Sequence, residues 1–219
     1  MSLEQEIYAD IVDNCNVLLG RLKGCELIND TPEGRMIYQC RWLKEQVAAG
    51  RLILPVENYI HTLRHVSAEN LLRHLASSPE HYHSEIGIYL YRLVKLTDGN
   101  LLLKPEYYMY AVRCLDALIA VLKKAVRPLS RYELDLTDEL VDLKHLLRSR
   151  AIEPPLRFYL PDYPNFNEVY VFFESSIDDL PNGKVLCQTV ANLIFEGVRP
   201  DTWTRPEAAD RETKRLPGA

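Results

Sequence analysis

Two histidines in the first third of the chain have the spacing of a metal site. His61 and His65 stand four residues apart, so on a helix both imidazoles lie one turn apart on one side, within reach of one ion. Thr62, Leu63 and Arg64 stand between them, so the glutamate base of an H-E-x-x-H helix is missing and a cation lies nearby. The sequence therefore keeps a metal site at His61 and His65 open, although two solvent-facing histidines explain the pattern more simply.

The cysteines offer nucleophiles rather than a zinc site. Zinc ribbons need close cysteine pairs, whereas the five thiols of this chain are widely spaced. They stand at Cys15, Cys25, Cys40, Cys114 and Cys187. Three of them fall within apolar helical stripes, where a reduced thiol acts as a small hydrophobe. The nucleophile elbow G-x-S-x-G, the phosphate loop and the dinucleotide fingerprint are all missing. A metal-dependent or cysteine hydrolase with a site between helices is therefore an alternative only; we assign no catalytic residue and expect no cofactor.

Tyrosines crowd the middle of the chain, and tyrosine is enriched in protein interfaces because it gives broad contact at little entropic cost. Six of the 13 stand at Tyr82, Tyr89, Tyr91, Tyr107, Tyr108 and Tyr110. Tyr91 and Tyr107 fall partly outside the apolar stripes of their helices. We take Tyr91, Tyr107, Tyr108 and Trp203 as candidate partner-binding residues. An amphipathic layer between core and solvent is the other interpretation of the same tyrosines.

The charge balance argues against a nucleic-acid partner. The chain carries 26 basic and 31 acidic residues, a formal charge of -5. Its basic clusters, Lys123, Lys124 and Arg127, then Lys144, Arg148 and Arg150, fall at predicted helix ends, where cations offset the helix dipole. A nucleic-acid-binding accessory protein is therefore the second alternative, to be judged by whether these ends form one basic patch.

The elements that must position these residues are predicted to be helices. Apolar residues recur at helical spacing from Ile7 to Leu22, and Gly24 stops this first helix. Asp30, with Pro32 and Glu33, predicts the start of a second helix that ends near Gly50. The same signals predict four further helix starts, at Pro55, at Ser67, at Ser78-Pro79-Glu80 and at Pro105, and then a helix capped by Ser130 or Thr137.

The composition changes after Pro154-Pro155. Four prolines and several aromatic residues between 154 and 168 predict an extended crossover pinned across the helices, because proline lacks the amide donor of a helix. Residues 169–177 fit a helix better than a strand, although both remain open. A helical stripe follows over 185–194, and Gly197 ends it. Residues 199–219 form a polar tail.

Together these patterns predict an all-α fold of seven or eight helices. We expect an irregular multi-helix bundle of antiparallel helical hairpins, with one domain over residues 1–198. No run of 18 apolar residues predicts a membrane span, and an acidic N-terminus with unpaired cysteines predicts a cytoplasmic protein. The leading functional hypothesis is a non-enzymatic protein-interaction module, an adaptor or an immunity- or antitoxin-type inhibitor. It would bind a protein partner or a second copy of itself.

Overall fold

The computed structural model describes residues 2–25, 28, 31–56, 60–125, 127–156, 162–166 and 183–200, with residues 60–62 described as backbone only. The fold is all-α, as the sequence predicts. Contacts within the chain divide it into two compact units, Met1–Leu102 and Leu103–Ala219. Each unit has a hydrophobic core of its own, and the two cores share none of the described residues. The single domain over residues 1–198 stays a prediction.

The first unit contains four α-helices in its described part. They are α1 (Leu3–Arg21), α2 (Pro32–Ala48), α3 (Ile60–Ala68) and α4 (Ile88–Thr97). A 3₁₀-helix over Arg73–Leu75 and a π-helix over His83–Gly87 stand between α3 and α4, and strand β1 (Leu101–Leu102) follows. Helix α1 packs against α2 and α4, and α3 packs against both α2 and α4. The buried stripe of α1 meets residues such as Met36, Leu43 and Leu93 in the core.

The start of α2 differs from the prediction by one residue. Thr31, rather than Asp30, caps the helix: its hydroxyl accepts a hydrogen bond from the Gly34 amide at 3.1 Å. The Thr31 hydroxyl also donates to the Ile28 carbonyl at 2.9 Å, which brings that carbonyl close to Gly34. A hydroxyl can donate and accept at once, whereas an aspartate carboxylate only accepts, so threonine satisfies both groups.

Two further boundaries in the first unit correct the sequence interpretation. Ser67 starts no new helix, because α3 continues through it to Ala68 and a single 3₁₀ turn follows. Ser78-Pro79-Glu80 lies in a turn, and the helical conformation begins only at Tyr82. The helix begins later than predicted for a local reason. The Ser78 hydroxyl donates to Glu80 and the Ser77 hydroxyl donates to Glu85, and these side-chain hydrogen bonds hold the segment as a turn.

The described residues of the second unit form three α-helices. They are α5 (Tyr108–Lys123), α6 (Arg131–Ser149) and α7 (Gly183–Val190). A 3₁₀-helix over Pro105–Tyr107 precedes α5, while a π-helix over Ala191–Phe195 and strand β2 (Val198–Arg199) follow α7. Helix α5 packs against both α6 and α7. Residues such as Leu118, Leu140 and Leu193 fill the core between them.

The crossover lies on α6 where it is described. The Glu139 carboxylate accepts hydrogen bonds from the Asn165 amide at 3.1 Å, the Asn165 side chain at 2.7 Å and the Phe166 amide at 2.6 Å. The Tyr132 hydroxyl donates to the Asn165 carbonyl at 2.8 Å, and Phe166 is buried in the core. One carboxylate of α6 thus holds the chain where it begins a new helical turn at 164–166. Residues 169–177 lie outside the described residues.

Candidate protein-binding face

The tyrosines predicted to bind a partner do not form an exposed surface. Tyr91 is 6% exposed and Tyr108 is 3% exposed. Tyr107 is half-buried, and the Arg199 guanidinium lies over its ring at 4.0 Å. Trp203 lies outside the described residues. Tyr91 belongs to the first unit, whereas Tyr107 and Tyr108 belong to the second.

The burial of Tyr91 differs from the single apolar stripe that the sequence of its helix predicts. The buried residues of α4 lie on more than one of its faces, and the helix contacts both α1 and α3. A single-stripe interpretation assumes one buried face and therefore places Tyr91 partly in solvent. Lys95 leans over the Tyr91 ring at 5.2 Å from its centroid, which covers part of what remains exposed.

The structure leaves the predicted histidine site undecided. His61 lies in α3, but its side chain is outside the described part of the chain, and His65 is exposed. Within the described residues, no group of three His, Cys, Asp or Glu side chains could hold a metal ion. His74 pairs its Nε2 with the Glu33 carboxylate at 2.7 Å. The metal site at His61 and His65 stays a prediction.

A cluster of hydroxyls, an imidazole and carboxylates lies in the turn before the first π-helix. Ser77 donates its hydroxyl proton to Glu85 at 2.6 Å, and Ser78 donates its own to Glu80 at 2.6 Å. His81 Nδ1 lies 3.3 Å from the Ser77 hydroxyl oxygen and 3.1 Å from that of Ser78. Since each hydroxyl gives its one proton to a carboxylate, the His81 ring can hydrogen-bond to these oxygens only in a form that carries a proton on Nδ1.

This proton order is the reverse of the one that nucleophilic catalysis needs. A serine nucleophile gives its proton to the imidazole, whereas here the imidazole donates to both serines. The hydrogen bond from the Ser77 hydroxyl, followed by the one from its amide, lowers the pKa of Glu85. A carboxylate of lowered pKa is a weak base. The cluster therefore acts as a structural turn whose polar groups satisfy one another.

The buried thiols are poor nucleophiles. All five cysteines are free, and four of them are buried. Burial raises the pKa of Cys187 to about 12, and it raises the pKa of Cys114 to about 11. A hydrogen bond with Cys15, followed by burial, raises the pKa of Cys40. Because the thiolate is the reactive form, these thiols act as core hydrophobes. Cys25 is half-buried, so a cysteine hydrolase would have to use Cys25 as its nucleophile.

The basic helix ends are partly committed to ion pairs within the second unit. The Arg127 guanidinium binds Glu133 at 2.7 Å, and the Lys144 ammonium binds Asp116 at 3.0 Å. Lys123 and Arg148 stand in the last turns of α5 and α6, as dipole compensation predicts. Arg150 caps α6 in the left-handed conformation. Nucleic-acid binding by these ends stays a prediction.

An exposed aromatic face lies instead on α2. Tyr38 is 53% exposed, although it is a large aromatic residue in the middle of a helix. Trp42, one turn later, is half-buried, with part of its surface packed against the core of the first unit. Arg35 and Arg41 are exposed on either side of Tyr38, and Glu45 follows Trp42 at helical spacing. We call Arg35, Tyr38, Arg41, Trp42 and Glu45 the α2 face.

Sequence reasoning missed the α2 face, although the sequence carries a signal for it. The apolar stripe of α2 runs through Met36, Ile37, Cys40, Leu43 and Val47. With 3.6 residues per turn, each residue advances by about 100°, so two aromatic side chains of this helix fall beside the stripe rather than in it. They are Tyr38 and Trp42.

The described part of the chain contains no helix that is both long and apolar enough to cross a membrane. Comparison with known proteins identifies no relative: no protein-family model matches the sequence, and no curated protein and no solved structure shows significant similarity to it.

Proposed function

We propose that this chain is a non-enzymatic protein-interaction module and that the α2 face is its contact surface. The observation that carries the proposal is the 53% exposure of Tyr38 beside a half-buried tryptophan and exposed arginines. Tyrosine, tryptophan and arginine are the residues that dominate binding energy in protein interfaces. An adaptor and an immunity- or antitoxin-type inhibitor would each need such a face.

The packing of the α2 face suits a binding anchor. Trp42 is held by the core of the first unit, so it loses little conformational entropy when a partner covers it. Tyr38 has only two rotatable side-chain bonds and projects from a capped helix. A partner therefore meets a rigid aromatic surface, and ordering this surface costs little of the binding free energy.

A capture experiment tests the proposal with a matched control. The immobilised chain, its Tyr38→Ala variant and its Met109→Ala variant are each incubated with a lysate of the source cells. Met109 is 50% exposed on α5, so its loss removes a similar exposed apolar area from the other unit. We expect Tyr38→Ala to lose at least one stoichiometric protein that the unmodified chain and Met109→Ala both retain.

Both substitutions are at exposed positions, where changes in the free energy of unfolding stay within about 0.5 kcal/mol. A difference in capture would therefore report the surface and not the fold. If all three chains retain the same proteins in the same amounts, the α2 face is not the contact surface and the proposal fails.

A further inference from the structure

Four residues of the α2 face form a stripe with a particular order. Arg35, Tyr38, Trp42 and Glu45 stand at spacings of three, four and three residues. At about 100° per residue, they occupy an arc of about 80° on one side of the helix. This is the spacing of the contact positions of a coiled coil. The stripe begins with a cation, continues with two aromatic rings and ends with a carboxylate.

This order is complementary to itself when it is reversed. If a second α2 is laid antiparallel along the first, Arg35 comes opposite Glu45 of the other helix, and Tyr38 comes opposite its Trp42. A two-fold axis beside position 40 then repeats both pairs, so the stripe makes two ion pairs and two aromatic pairs. A contact of this kind uses the same patch on both copies, as most symmetric dimers do.

We propose that the occupant of the α2 face is a second copy of this chain, bound through an antiparallel pairing of the two α2 helices. This inference rests on the proposed function, since it names the partner of the same face. Aromatic pairs give a favourable contact beyond the area that they bury, and opposite charges fix the register of the two helices. Antiparallel packing also places the positive end of each helix dipole beside the negative end of the other.

The pairing predicts a weak and reversible dimer. One helix on each side provides a small interface, below the roughly 1,200 Å² that stable complexes bury. We therefore expect a dissociation constant of about 10 to 100 µM, which is the range of transient contacts. The equilibrium should shift towards monomer as salt is added, because the two ion pairs lie at the rim of the interface.

Charge reversal tests the register directly. Sedimentation equilibrium is measured from about 5 to 300 µM for the unmodified chain, Arg35→Glu, Glu45→Arg and the double variant. Each single reversal sets like charges opposite each other at both ends and should weaken the dimer about tenfold or more. The double variant restores both ion pairs with their signs exchanged and should return to within about threefold of the original constant. Arg113→Glu, an exposed reversal on α5, is the matched control for net charge.

These variants should fold normally. Arg35→Glu adds an acidic residue near the start of α2, and Glu45→Arg adds a basic residue near its end, and both changes suit the helix dipole. Circular dichroism at 222 nm should be unchanged, which is the check on folding.

Two outcomes would overturn the inference. One is a chain that stays monomeric at about 300 µM; the other is a dimer that the double variant does not restore. The proposed function is judged separately, because a monomeric chain that loses a captured protein on Tyr38→Ala would still be an interaction module. That result would identify a different protein as the occupant of the α2 face.

Discussion

Replacing Glu133 with glutamine should destabilise the second unit through one buried carboxylate. Glu133 lies in the first turn of α6, and its side chain is 1% exposed. Its carboxylate accepts two hydrogen bonds from the Arg127 guanidinium, at 2.7 and 2.9 Å, and one from the Ser130 amide at 2.7 Å. The Ser130 hydroxyl in return accepts a hydrogen bond from the Glu133 amide, which completes a capping box.

The size of the effect follows from the pKa of this carboxyl group. The hydrogen bonds from Arg127, with smaller contributions from Ser130, lower the pKa of Glu133 from 4.5 to about 2. A difference of about 2.5 pKa units corresponds to about 3 kcal/mol of stability at neutral pH. Because the Arg127 side chain is 38% exposed, solvent screening lowers the expected loss in Glu133→Gln to about 2 kcal/mol.

The dependence on pH has a definite sign. A carboxyl group whose pKa is lowered by folding stabilises the folded state fully above the unfolded value, and this stabilisation is lost as the pH falls towards the folded value. The contribution of Glu133 is therefore complete above about pH 5, roughly halved near pH 3 and absent below about pH 2. The stability difference between the unmodified chain and Glu133→Gln should shrink over the same interval.

Urea unfolding, monitored by amide exchange in α6, measures the stability difference between the unmodified chain and Glu133→Gln at pH 7 and again near pH 3. Asp135→Asn is the control, because it breaks an exposed ion pair with Arg131 and should cost less than about 0.5 kcal/mol. A loss in Glu133→Gln no greater than that of the control would refute the reasoning. So would a loss that is the same at both pH values.

Four further substitutions are expected to change stability or local hydrogen exchange. Gly34→Ala should lower the free energy of unfolding by more than about 2 kcal/mol, because the new Cβ would overlap the Ile28 carbonyl. Gly20→Ala has open space around its new Cβ and should raise the free energy of unfolding by about 0.5 to 1 kcal/mol. Thermal unfolding measures both changes. Leu140→Ala should cost about 2 to 5 kcal/mol in urea unfolding, since it empties a fully buried site in the second core; a loss below 1 kcal/mol would contradict that site. Glu139→Gln should speed hydrogen exchange at the Phe166 amide about tenfold or more, because the Glu139 side chain that accepts this amide loses its charge. Unchanged exchange at Phe166 would contradict this prediction.

The helices could be predicted because their signals are local. Apolar spacing placed α1 and α5, and the Ser130–Glu133 capping box needs only residues three apart. The cap of α2 was misplaced by one residue because Asp30 and Thr31 are both good caps. The Thr31 hydroxyl also donates to the Ile28 carbonyl, and the position of that carbonyl is not visible in the sequence.

The exposed surface was harder to predict because burial depends on which helices meet. Tyr91 is 6% exposed although it falls partly outside the apolar stripe of its helix, and no spacing within α4 reveals this burial. Tyr38 is exposed because α2 leaves one side uncovered by α1 and α3. The direction of a hydroxyl hydrogen bond is equally non-local: the Ser77 hydroxyl donates to Glu85, eight residues away, rather than to His81.

The two π-helices have a consequence for how the chain tolerates changes in length. In each, a backbone amide bonds to the carbonyl five residues earlier, as Glu196 does with Ala191 at 3.0 Å, so the turn contains one residue more than an α-helical turn. Deleting a residue there would convert the π-helical turn to an ordinary α-helical turn at the start of α4 or at the end of α7. Related sequences should therefore show single-residue gaps within 83–87 and 191–195, while the uninterrupted α-helices between them keep their length.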